Sequence, residues 1–119
     1  MTQEYEIFKG RSSTTFEGDI LSTTSSRRSA SQDRWTEYEI YRTVGGKYVI
    51  VIYGKSKIPS EKQKTNIIEA TTPSGVLDAL KFKNREGNIY LTHTAEDALA
   101  AAADNDKGLY DIFHKNHID

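Results

Sequence analysis

Two glutamates one residue apart, Glu37 and Glu39, lie in the stretch RWTEYEIYRTVGGKYVIVIYGKS, residues 34–56. In an extended strand they share a face at about 7 Å, the reach of a glycosidase carboxylate pair. Alternating acids are also how a solvated strand face looks, and 119 residues leave little room for a deep cleft. Asp111, His114 and His117 are ligand types that suit zinc or nickel. Spaced three apart on a helix they drift around its axis, and a basic last turn facing the helix dipole explains them more simply. His93 stands between Thr92 and Thr94, but sequence neighbours do not make a nucleophile–base dyad. In DNDKG, residues 104–108, the glycine comes one place too early for a calcium loop and Lys115 stands where the bidentate glutamate belongs. That stretch reads as a turn between helices, with Asp104 or Asp106 capping the second. The absence of cysteine excludes disulfides, thiolate metal sites and a thiol nucleophile. Gly45-Gly46 belongs to a hairpin and not to a phosphate loop. RRSAS, residues 27–31, matches a basophilic kinase site, a short pattern that chance supplies often. No catalytic residue, metal ligand or cofactor is assigned, and the expectation is a protein that is not an enzyme.

Binding is the stronger theme. Trp35, Tyr41 and Tyr53 share a strand face with Glu37 and Glu39, and aromatic residues are favoured at the centres of interfaces. These five residues form the expected surface for a protein partner. Arg27, Arg28 and Arg34 in one polar segment, and Lys55, Lys57, Lys62 and Lys64 in another, flank the same rings. Basic loops beside exposed rings are how single-stranded nucleic acid is held, with phosphates on cations and bases on rings. Against that alternative stand the two glutamates among the rings and a net charge of −1.

The elements that must carry these side chains are legible in part. EYEIFKG and TTFEGDILST alternate as half-buried strands joined at Gly10 to Ser13, the second with Phe16, Gly18 and Ile20 on one face. Ser22 to Asp33 and Gly54 to Lys64 read as mobile polar loops. For the hairpin at Gly45-Gly46, a three-residue loop (Val44 to Gly46) pairs Ile40 with Ile50 and Tyr38 with Ile52. A two-residue turn would instead set Glu37 and Glu39 against isoleucines, so the three-residue register is preferred. It gathers Tyr38, Ile40, Tyr48, Ile50 and Ile52 on one face. TNIIEAT is a further short strand. Thr72 caps a helix with Pro73 at its first position, Val76, Leu77 and Leu80 as its stripe, and NREGN at its end. IYLT is a short strand, Thr94 and Asp97 form a capping-box-like start to an alanine-rich helix, and LYDIFHKN resumes the helical pattern.

Strands precede helices without βαβ alternation. The expected fold is therefore α+β, a single domain over 1–119: an antiparallel sheet of four to six strands from the N-terminal two-thirds, with two to three C-terminal helices on one face. Residues 1–64 hold 11 Lys/Arg and 8 Asp/Glu, and residues 65–119 hold 5 and 9, which permits a basic surface and an acidic one. No apolar run approaches the ~20 residues of a membrane-spanning helix, and no secretory leader is visible, so the expected location is cytoplasmic with no membrane partner. EYEIFKG is a candidate edge strand through which two copies could pair.

Overall fold

The computed structural model describes residues 2–115, the side chain of Lys115 excepted. Five strands, β1 (Gln3–Lys9), β2 (Ser12–Ser25), β3 (Arg34–Thr43), β4 (Tyr48–Ser56) and β5 (Lys64–Ala70), form an antiparallel meander in sequence order. Three helices follow, α1 (Pro73–Leu80), α2 (His93–Ala103) and α3 (Lys107–Lys115), with a two-stranded hairpin, β6 (Phe82–Lys83) and β7 (Ile89–Tyr90), between the first two. The architecture is α+β, as the order of patterns implies.

The β3–β4 hairpin adopts the three-residue register: Ile40 faces Ile50 and Tyr38 faces Ile52. Its loop closes through Gly46 at φ 86°, with Gly46 N donating to Thr43 O at 2.9 Å. Because side chains alternate, this register fixes two faces. On the first, Leu21, Tyr38, Ile40, Tyr48, Ile50 and Ala70 meet Val76, Leu80, Leu99, Leu109 and the alanines of α2. Ala95, Ala98 and Ala102 are fully buried, and their small side chains let α2 lie close to the sheet. Each fully buried Ile or Leu here contributes about 2 kcal/mol of transfer free energy.

The second face carries no helix. The sheet curls until its two edge strands, β1 and β5, come into contact, and this closes a smaller core around Ile7, Tyr41, Val49 and Val51. Tyr5, Phe16 and Tyr41 meet in a ring cluster, with Tyr41 at 4.8 Å from Tyr5 and 5.0 Å from Phe16 between centroids. Gly18 makes the β2–β3 approach possible: a Cβ there would stand 2.1 Å from the Arg42 carbonyl oxygen.

Several expectations need correction. Strand β2 runs on through Ser25, so the first four residues of the expected Ser22–Asp33 loop are sheet. A bulge between Ile20 and Ser22 turns both Leu21 and Ser22 inward and leaves Ile20 42% exposed. Buried Ser22 is satisfied by donating to Ala98 O at 2.9 Å. Likewise β4 extends through Ser56, which shortens the second polar segment to residues 57–63. Helix α2 is capped by Thr92, which accepts from Ala95 N, and not by Thr94, which is buried inside the first turn. NREGN is the turn of the β6–β7 hairpin and lies beyond the end of α1. Thr72 does cap α1, accepting from Gly75 N at 3.1 Å.

Candidate basic cleft

The geometry of the expected site residues follows from the β3–β4 register. Trp35 lies opposite Lys55, and Glu37 lies opposite Tyr53, all four on the helix-free face. Trp35 donates its indole N–H to Glu37 Oε2 at 2.8 Å, and Lys55 Nζ reaches Glu37 Oε1 at 3.0 Å. Burial alone would raise the Glu37 pKa, but the Trp35 and Lys55 hydrogen bonds outweigh it and hold the carboxyl below its ordinary range. That is the wrong direction for a general acid. Glu39 accepts from two hydroxyls, Tyr41 at 2.8 Å and Tyr53 at 3.1 Å, through the same oxygen. Burial, then the nearby Glu39 charge, pushes the Tyr53 phenol up to about 12, and burial raises Tyr41 further still.

Tyr41 does not belong to an accessible surface. It is 3% exposed, packed under Tyr5 and Phe16, so the expected partner face loses one of its five members to the second core. The curl of the sheet is the reason, and no local pattern announces it. Trp35, Glu37, Glu39 and Tyr53 are half-buried and already bonded to one another and to Lys55.

The cations behave differently. At the open end of the β3–β4 pair a cleft of about 710 Å³ is lined by Ser26, Arg34, Trp35, Thr36, Lys55, Ser56, Glu61, Lys62 and Lys64. Four of the seven expected basic contacts, Arg34, Lys55, Lys62 and Lys64, stand in its wall beside Trp35. Arg27 stacks over the Trp35 ring, its guanidinium carbon 4.1 Å from the centroid. Lys57 and Arg28 turn away. Lys57 pairs with Asp33 at 3.5 Å and donates to Ala30 O, while Arg28 donates to Ser25 O. The two segments that meet here, residues 26–37 and 54–65, hold seven Lys/Arg and three Asp/Glu, an excess of positive charge in a chain whose total is −1. Lys62 and Lys64 make no ion pair among the described residues.

Glu61 is the residue that the sequence reading passed over. It accepts from the Arg34 fork, Nε at 2.9 Å and Nη2 at 2.5 Å, and from Ser56 Oγ at 2.6 Å. These partners, Arg34 first, draw its pKa down. A lone acid within a run of lysines was the available signal.

The remaining candidates do not converge. His93 is exposed at the start of α2. His114 stacks on Tyr110 at 4.1 Å and Asp111 reaches Lys107 at 3.7 Å, while His117 lies outside the described residues. Asp106, one of the two proposed caps, does cap α3 by accepting from Leu109 N at 3.0 Å. No described helix is long and apolar enough to cross a membrane. Among known proteins no family model matches this chain, and no curated protein and no solved structure matches it.

Proposed function

We propose that the protein is a small non-enzymatic binding module whose basic cleft holds single-stranded nucleic acid. One observation carries this reading: two segments remote in sequence bring Arg34, Lys55, Lys62 and Lys64 around a roomy cleft with Trp35 in its wall. Phosphates are then held by cations and a base packs beside the indole. Arg27 on the ring adds a further cation at the rim. The register pairs Arg34 with Ser56 and Trp35 with Lys55, which holds the backbone of these four residues in place at the end of the hairpin. A cysteine-free domain of this kind suits the cytoplasm, which we propose as its place of work.

A protein partner is the second reading, and its support has moved to another surface. Phe82, Ile89 and Tyr90 on the β6–β7 hairpin are 52%, 63% and 43% exposed, which is unusual for rings and an isoleucine so close together.

The fluorescence of Trp35, the only tryptophan, tests the first reading directly. Titration with an unstructured oligonucleotide such as dT12 is expected to quench it at low salt. Log affinity should then fall against log salt with a slope of about −2 to −3, at roughly 0.7 for each of three or four phosphate contacts. An indole that does not respond at low salt overturns the nucleic-acid reading and leaves the protein partner.

A further inference from the structure

In the wall of the cleft the Glu61 carboxylate is held by donors from two paired strands. Arg34 and Ser56 lie directly opposite each other on β3 and β4, so the sheet fixes the backbone from which both donors reach. The Arg34 fork and the Ser56 hydroxyl converge on the two oxygens of Glu61. Glu61 itself belongs to no strand: it sits on the connection of residues 57–63, 27 positions from Arg34. Donors anchored on paired strands therefore face an acceptor carried on a loop. A guanidinium fork beside a hydroxyl is also the donor set that matches a phosphate group. Lys64 lies close enough to act on the Glu61 charge, and both it and Lys62 line the same cleft without an ion pair among the described residues.

Resting on the nucleic-acid reading above, we infer that the Arg34–Ser56 seat is the phosphate subsite of the cleft and that Glu61 is its resident competitor. An incoming phosphodiester takes the Arg34 fork, the Ser56 hydroxyl and the Lys64 charge, and the Glu61 carboxylate swings out to water. The exchange is between like charges. Glu61 thus lowers affinity for every polyanion and favours those that bring further phosphates to Lys55 and Lys62. The hydrogen bonds from Arg34, then Ser56, draw the Glu61 carboxyl below its usual range, so the contact favours its ionised form.

The test is the anisotropy of labelled dT12 with four proteins: the parent, Glu61→Gln, Asp33→Asn, and Glu61→Gln combined with Arg34→Lys. Asp33 is the control, a carboxylate of the same neighbourhood that pairs with Lys57 and does not line the cleft. Glu61→Gln should bind about fivefold tighter, the size of one exposed ion pair released, and Asp33→Asn less than about twofold tighter. Arg34→Lys keeps the charge and gives up the fork, so the double variant should lose the gain. If Glu61→Gln binds no tighter than Asp33→Asn, or keeps its gain with Lys at position 34, the competitor idea falls while the nucleic-acid reading stands. If none of the four binds at low salt, both fall.

Discussion

Two carboxylates in this molecule have nearly the same partners and opposite surroundings. Asp106, at the start of α3, accepts from Arg42 Nη1 at 2.6 Å, from the Tyr48 hydroxyl at 2.9 Å and from Leu109 N at 3.0 Å. Glu61, at the cleft, accepts from an arginine fork and a serine hydroxyl. The side chain of Asp106 is 1% exposed and that of Glu61 is 34% exposed. Asp106 joins a helix to the sheet across 64 residues of sequence, and the fit is close. A Cβ added at Gly108 would come within 3.0 Å of Pro73 and 3.2 Å of the Tyr48 hydroxyl. The same chemistry is thus a buried tie in one place and a solvent-exposed contact at the wall of a cleft in the other. What separates them is whether water can take over the partners when the carboxylate leaves.

The largest effect should come from the buried tie. Asp106→Ala strands the Tyr48 hydroxyl, a backbone N–H and one face of Arg42, and is expected to cost about 4 kcal/mol. Asp106→Asn, which keeps an acceptor for Tyr48 and Leu109, should recover about half of that. Urea midpoints give both values. The pH dependence has a definite sign. Burial alone would raise the Asp106 pKa, but Leu109 N–H, Tyr48 and Arg42 together outweigh it and set the folded value below the ordinary one. Its contribution is therefore present above the unfolded pKa of about 4 and is lost as pH falls through the folded value, where the unfolded chain binds more protons. The Asn variant should show a flatter acid limb than the parent. Equal acid limbs would mean that the tie carries no stability through its charge.

Glu39 is the intermediate case, and it bears on what a sequence reveals. Its two hydroxyl donors come from Tyr41 and Tyr53, and Tyr41 is core. The register that placed both tyrosines on the helix-free face was legible, because a three-residue loop with a left-handed glycine and an aversion to burying glutamate against isoleucine both select it. The curl of the sheet was not legible. It depends on β1 approaching β5 some sixty residues away, and on a bulge at Leu21 that alternation alone would deny. Helix starts were readable to within two residues, since Thr92 and Thr94 offer the same cap and only packing of Thr94 decides between them. The basic cleft was half legible: the cations and Trp35 were evident, but their convergence needed β4 to run on to Ser56. Tyr41→Ala separates core from surface cleanly. It should cost about 3 kcal/mol in thermal or urea melts, as removal of a buried ring does. A loss under about 1 kcal/mol would return Tyr41 to the surface and weaken the contrast between the tied face and the open cleft.

The smallest effect is expected at Glu61, and it is the most informative for the comparison. Glu61→Ala removes the acceptor of three donor atoms, as Asp106→Ala does, yet Arg34 is 65% exposed and water replaces what it loses. The Ser56 hydroxyl keeps a role of its own, accepting from Ile58 N at 3.0 Å, so the start of the connection stays anchored without Glu61. The melting midpoint should therefore move by no more than about 3 °C, within the range of ordinary surface substitutions in a domain of this size. A drop comparable to that of Asp106→Ala would mean that Glu61 closes the connection onto the sheet as a structural clasp. The Arg34–Ser56 seat would then be filled for stability, and any anion entering the cleft would have to bind beside it at Lys62 and Lys64.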